Sequence, residues 1–352
     1  MDFVYAANPS RVVFGTGTIE RLGDEAERLG LERLLIVSTA DQTDQAHLVA
    51  SQLGARAAEM FANAVMHTPV EVTERAMSVV GDARVDGIVA VGGGSAIGLG
   101  KALAMRTDLP QIAVPTTYAG SEMTPILGET KDGAKVTQSD SRVLPEVVVY
   151  DVDLTLSLPP RLSGTSGLNA IAHAVEALYA RDRNPIVSLM ALEGIGALTQ
   201  ALPGIMDNPD DRGARAKALY GAWLCGTCLG AVGMAIHHKL CHTLGGSFNL
   251  PHSETHTIVL PHALAYNLPA VPEVKAQLEG VLGPDPARAL YELAGTVGAA
   301  RGLKDLGMLG TAINEATERA LANPYWNPRA LESAPICALI TRAWNGEPPQ
   351  SD

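Results

Sequence analysis

The chain has 352 residues, 47% of them hydrophobic and 18% charged, with a formal net charge of −12. That length leaves room for two domains of ordinary size. The composition excludes a disordered chain, and the acidic balance excludes nucleic-acid binding through phosphates. No uninterrupted apolar run reaches about 18 residues, which predicts no membrane span. The opening MDFVYAANPSRVVFG lacks the basic start and long apolar stretch of a secretory leader, which predicts a cytoplasmic protein.

In chain order, LERLLIVST at 31–39, DGIVAVGGGS at 86–95, LPQIAVPTT at 109–117 and VLPEVVVYD at 143–151 read as strands. Helical stretches at 41–53 and 71–82 lie between them. Apolar strands alternating with helices imply a parallel sheet covered on both faces, an α/β Rossmann-like domain over residues 1–158. After LSLPP (156–160) alanine- and leucine-rich helical patterns take over, at 163–182, 185–203, 211–247, 253–268, 284–301, 306–321 and 330–344. These define an all-α domain over 159–352, with the boundary at Pro159-Pro160.

Gly92, Gly93, Gly94 and Ser95 stand between a strand and a helix. Glycines let backbone approach a ligand, and a helix N-terminus presents free N–H groups to phosphate. The alternative is a tight turn alone, because the spacing matches neither GxGxxG nor GxxxxGKS; Gly100-Lys101 is followed by Ala102. PTTYAGSE at 115–122 adds the hydroxyls of Thr116 and Thr117 at another strand end, where open α/β sheets bind ligands. Together they point to a nucleotide cofactor. The strand ending at Ser38-Thr39 carries no acid at its end, with Asp41 slightly later, so both NADH and NADPH are expected to serve.

LNAIAHAVEA at 168–177 sets Asn169, His173 and Glu176 on one face of a helix. Six of the nine histidines lie between 237 and 262, in HHKLCHTLGGSFNLPHSETHTIVLPH. A segment so apolar implies burial, and buried imidazoles need partners. Scattered surface histidines explain any one of them but not the group, so the group reads as an active site. The CGTC at Cys225 and Cys228 has the spacing of redox and zinc sites. Its small-residue helical surroundings, and the lack of a second CxxC, favour small buried side chains instead.

GGGS at 92–95, PTTYAGSE, NAIAHAVEA and HHKLCHTLGGSFNLPH, in this order, resemble the iron-containing (group III) alcohol dehydrogenase family, related in fold to dehydroquinate synthase. The resemblance implies a dinucleotide-binding domain, a helical domain, an active site in the cleft between them, and a homodimer. Lys135 resembles a family position near the cofactor. Metal-dependent members use an Asp and three His; His173, His238 and His252 match the three, and Asn169 stands where the Asp belongs. A neutral amide removes a charge from the site, which implies no tightly held metal. ANPYWNPRALE at 322–332 and QSDSRVLPEVVVYD further resemble the maleylacetate-reducing branch of the family, which forms 3-oxoadipate in aromatic-ring breakdown.

For such a substrate hydride adds to an alkene conjugated to a ketone, and the charge moves to the ketone oxygen as an enolate. Hydrogen-bond donors then suffice to hold it. The imidazoles of His242 and His252 are expected to supply them, with His173 and His238 completing the polar site and one histidine or water protonating carbon. The dicarboxylate needs positive charge or amides, for which Lys239, Arg142, Arg329 and Asn169 are candidates. Two other readings remain open: a metal-dependent alcohol or glycerol-type dehydrogenase, and a dehydroquinate synthase-like lyase.

Overall fold

The computed structural model describes residues 3–5, 7, 8, 10–131 and 134–351, the side chains of residues 134 and 135 excepted. The chain divides into two compact units, one over Ala7–Leu158 and one over Pro159–Asp352 that also takes in residues 3–5.

The first unit is built on a six-stranded sheet. Its strands are β1 (Arg11–Gly15), β2 (Leu34–Val37), β3 (Ala57–Phe61), β4 (Gly87–Gly92), β5 (Gln111–Pro115) and, after a hairpin of β6 (Ile126–Lys131) and β7 (Ala134–Ser139), β8 (Val147–Asp151). They lie in the order β1-β8-β5-β4-β2-β3, every pairing parallel. The four central strands are buried along their whole length, so their sequences read as unbroken apolar runs. Successive side chains point to opposite faces. Leu34 and Ile36 join one core with Val89, Val91, Ile112 and Val114. Leu35 and Val37 join the other with Ile88 and Ala90. Helices α1 (Leu22–Arg28) and α2 (Thr43–Leu53) supply Leu22, Ala26 and Val49 to the first core; α3 (Val70–Ala83) and α4 (Gly94–Thr107) supply Ala76, Val80 and Ile97 to the second.

The second unit is helical. Helix α5 (Pro160–Leu178) starts with Pro160 in its first turn and is buried from Ser163 to Leu178, the pattern of a central helix. It packs on α6 (Pro185–Asp207), α7 (Arg212–Ala231) and α9 (His252–Asn267). The continuous helix expected over 211–247 is two: α7 ends at Ala231, the chain bends by 94°, and α8 begins at Ile236 and runs to Phe248. Four more helices follow, over Pro272–Leu282, Pro286–Thr296, Ile313–Ala322 and Ser333–Asn345. By length and composition α6 is long and apolar enough to cross a membrane, as a core helix can be, although Ser188, Glu193, Thr199 and Gln200 interrupt its apolar run; 44% of that window is buried inside the protein. Cys225 and Cys228 are buried thiols, both raised by burial, and a Cβ built on Gly194 of α6 would lie 2.8 Å from Cys225 Sγ. They are packing residues.

Candidate active site

In the α/β unit the chain reverses its direction of growth across the sheet between β2 and β4, the kind of place where open sheets bind ligands. The end of β4 is shaped by two tight approaches. Gly92 has φ 140°, and a Cβ there would come 2.2 Å from Gln42 Oε1; a Cβ on Gly93 would meet Thr117 Cγ2 at 2.9 Å. Around Gly94, the first residue of α4, a Cβ would meet nothing within 4 Å. The first turn of α4, with Gly94 and Ser95, thus opens beside the strand ends, which suits a pyrophosphate. Gln42 spans these ends: its Nε2 donates to Thr116 Oγ1 at 2.7 Å, and its Oε1 accepts from Thr39 Oγ1 at 3.0 Å. Sequence reading missed Gln42, whose reach depends on how β2 and β5 flank β4. Ser38 is buried, Thr39 half-buried and Asp41 exposed. Lys101 is buried behind the turn, its Nζ donating to Thr124 O at 2.7 Å, Thr124 Oγ1 at 2.9 Å and Ile126 O at 3.0 Å. Burial lowers its amine to about 7 against the pull of Glu122, whose carboxylate accepts from Tyr150 Oη at 2.8 Å. This buried network ties the loop after β5 to α4. The side chain of Lys135 lies outside the described residues.

In the helical unit the anchor is Glu176 of α5, fully buried. Its Oε1 accepts the His237 N–H at 2.8 Å; its Oε2 accepts the N–H groups of Ala235 at 2.8 Å and His238 at 3.4 Å. The carboxylate therefore caps α8 from another helix, which is why the chain breaks and turns at Val232–Ala235. Burial raises the carboxyl overall, against the pull of His237 and of these backbone donors. With donors on both oxygens it acts as an acceptor, and His238 Nδ1 completes the set at 2.7 Å.

From there six imidazoles adjoin one another. His238 Nε2 lies 2.8 Å from His173 Nδ1, and His173 Nε2 lies 3.4 Å from Asn169 Nδ2. Ring centroids are 4.9 Å apart for His237 and His256, 5.1 Å for His238 and His256, 4.2 Å for His252 and His256, and 6.0 Å for His238 and His242. Burial and mutual proximity hold His238 and His256 well below the ordinary histidine value and His237 at about 3, so all three are neutral. Among the described residues, Asn169 Oδ1 and both ring nitrogens of His256 have no hydrogen-bond partner.

His242, half-buried, faces outward and meets Tyr325 Oη at 3.0 Å, with Lys239 Nζ 5.7 Å from the Tyr325 ring. Tyr325 is a further residue that sequence reading missed. It is placed by Asn327, which exchanges amide hydrogen bonds of 2.8 and 2.9 Å with Asn267 of α9 and so pins ANPYWNPRALE to the cluster. Arg329 lies over the Tyr266 ring at 4.2 Å and donates to Tyr266 O at 2.8 Å. Arg142 belongs to the α/β unit, where Asp140 holds its guanidinium at 2.8 Å. The structure thus gathers Asn169, His173, His238, His242, His252 and Lys239 about one centre, and binds Arg142 and Arg329 to other partners.

A parallel α/β domain with a glycine turn at its switch point, followed by a helical domain carrying an imidazole cluster, defines a class of nicotinamide-dependent oxidoreductases. The chain belongs to the iron-containing alcohol dehydrogenase family: residues 9–152 match the family model for iron-containing alcohol dehydrogenase, and residues 163–344 match that for the family's C-terminal part. It is 55% identical over 348 residues, 99% of each chain, to the maleylacetate reductase of Rhizobium sp. strain MTP-10005. Among solved structures it is similar to a putative alcohol dehydrogenase of Ralstonia eutropha JMP134, with a TM-score of 0.98, 53% identity, and 99% and 100% of the two chains covered. It is also similar to the maleylacetate reductase of Agrobacterium tumefaciens, with a TM-score of 0.96, 53% identity and the same coverage.

Proposed function

We propose that the chain is a maleylacetate reductase, reducing the conjugated carbon–carbon double bond with NADH or NADPH to give 3-oxoadipate. The observation that carries this reading is an imidazole cluster that ends on a buried amide, Asn169, rather than on a carboxylate. The relatives that share 99% of the chain's length bear the same activity in their names. Hydride adds to the alkene carbon β to the ketone, and the electron pair passes to the ketone oxygen as an enolate. An enolate is a far weaker base than the alkoxide an alcohol dehydrogenase handles, so positioned N–H and O–H donors suffice. His238 lies between Glu176 and His173, and His173 between His238 and Asn169, which leaves His242 and His252 to face the enolate. Tyr325 backs His242 and forms, with it, the route by which a proton reaches the carbon α to the ketone. Lys239 and the second N–H of Asn169 suit a substrate carboxylate. Mixing enzyme, NADH and maleylacetate and following loss of the reduced cofactor tests the reading; no loss overturns it.

The family takes its name from iron, and the matching positions here are Asn169, His173, His238 and His252. Asn169 Oδ1, buried and without a partner among the described residues, could serve a cation. Against that, the lone pairs of His173 and His238 are taken up within their own hydrogen bonds, and the amide of Asn169 brings no negative charge to the four positions. They do not fit a tightly held divalent ion. The proposed reduction therefore runs on the chain's own donors. A cytoplasmic location accords with the four free thiols, and a homodimer with the family resemblance.

A further inference from the structure

We propose that Glu176 is a positioning residue: it sets the direction of a hydrogen-bond chain through His238 and His173 to Asn169, and so decides which atoms of the site donate and which accept. Backbone N–H groups already donate to both oxygens of Glu176, which sets the carboxyl as an acceptor toward His238 Nδ1, and that nitrogen carries a hydrogen. His238 Nε2 is then a lone pair, and the atom facing it at 2.8 Å, His173 Nδ1, must donate. His173 Nε2 is left as a lone pair and accepts from Asn169 Nδ2. A neighbour agrees independently. His237 Nε2 donates to His256 O at 3.1 Å, which makes His237 Nδ1 a lone pair, and it too faces His238 Nδ1, at 3.4 Å.

Two consequences follow. Asn169 stands at the donating end, where a carboxylate would set lone pairs against a lone pair; the amide at 169 and the acid at 176 are the two ends of one directed chain. With one N–H committed to His173, Asn169 offers the site its other N–H and a buried carbonyl oxygen. Glutamine at 176 would break this order. Its NH2 group must oppose the backbone N–H of His237 at one position, or those of Ala235 and His238 at the other. In the second position it also faces His238 Nδ1 and reverses the whole chain.

The inference rests on the cluster carrying the reaction, but its first test needs no substrate. Nitrogen-15 chemical shifts of histidine-labelled wild-type protein report the tautomer of each neutral imidazole. The expected result is Nδ1–H for both His173 and His238; Nε2–H at either overturns the proposal even if maleylacetate is reduced normally. In Glu176→Gln the single Nδ1–H pattern is expected to be lost, with part of the His173 and His238 signal moving to Nε2–H as the amide takes its second position, kcat down about tenfold to a hundredfold and KM for NADH unchanged. Reversed tautomers with full kcat would refute the positioning role. If Glu176→Gln does not fold, the wild-type spectrum still decides.

Discussion

At the residue scale the proposed reduction rests on imidazoles and a tyrosine acting as hydrogen-bond donors. His242→Ala is expected to lower kcat about a hundredfold or more. Tyr325→Phe, which removes only the Oη that meets His242 at 3.0 Å, is expected to lower kcat about tenfold or more and leave KM for NADH alone. Near-normal turnover in both variants contradicts the assignment. Acid stability offers a second check. His237 and His262 are buried and depressed from 6.5 to about 3 and about 4. The unfolded chain takes up protons below about pH 6.5 that the native protein refuses. Stability is therefore full above that pH and falls toward pH 4, by up to about 1.4 kcal/mol per pH unit for each group. A Tm that holds constant from pH 7 to pH 4.5 would show these imidazoles already charged. The histidines themselves were legible because residue type and density suffice to flag them. Tyr325, Gln42 and the capping role of Glu176 were not, since each depends on which distant elements adjoin it: Asn327 on Asn267, β2 on β4, α5 on α8.

At the element scale the same contrast holds. The four central strands were readable because burial on both faces makes them apolar throughout. The strands passed over, β1 and β3, are the two edges of the sheet, with exposed residues among their five. The hairpin of β6 and β7 was also passed over, although Asp-Gly at 132–133 is a two-residue turn signal between alternating runs. Composition cannot show the break between α7 and α8, because the acid that enforces it lies 59 residues upstream of Ala235. The glycine turn allows a test that separates folding from binding. Gly92→Ala sets a Cβ against Gln42 at a φ that alanine rarely adopts, and is expected to cost about 1–3 kcal/mol of stability. Gly94→Ala meets no protein atom, and is expected to leave stability within about 0.5 kcal/mol while raising KM for NADH about tenfold. Unchanged KM in Gly94→Ala would remove the pyrophosphate from this turn.

At the scale of the whole molecule, the fold class read from the sequence stands: a parallel six-stranded sheet followed by a helical unit. With Thr39 two residues beyond the end of β2 and Asp41 exposed, no buried acid stands at that strand end among the described residues. The two cofactors are expected to give kcat/KM values within about a hundredfold of each other, a difference of about 2.7 kcal/mol; a wider gap would place a selecting charge at that strand end. The central claim is that the imidazole cluster, ordered by Glu176 and closed by Asn169, reduces the conjugated alkene with its own donors. The most direct test is NADH oxidation with maleylacetate on protein stripped by chelation and shown metal-free by elemental analysis. The account predicts undiminished turnover, unchanged by added iron or zinc; activity that vanishes on stripping and returns with the ion would contradict it.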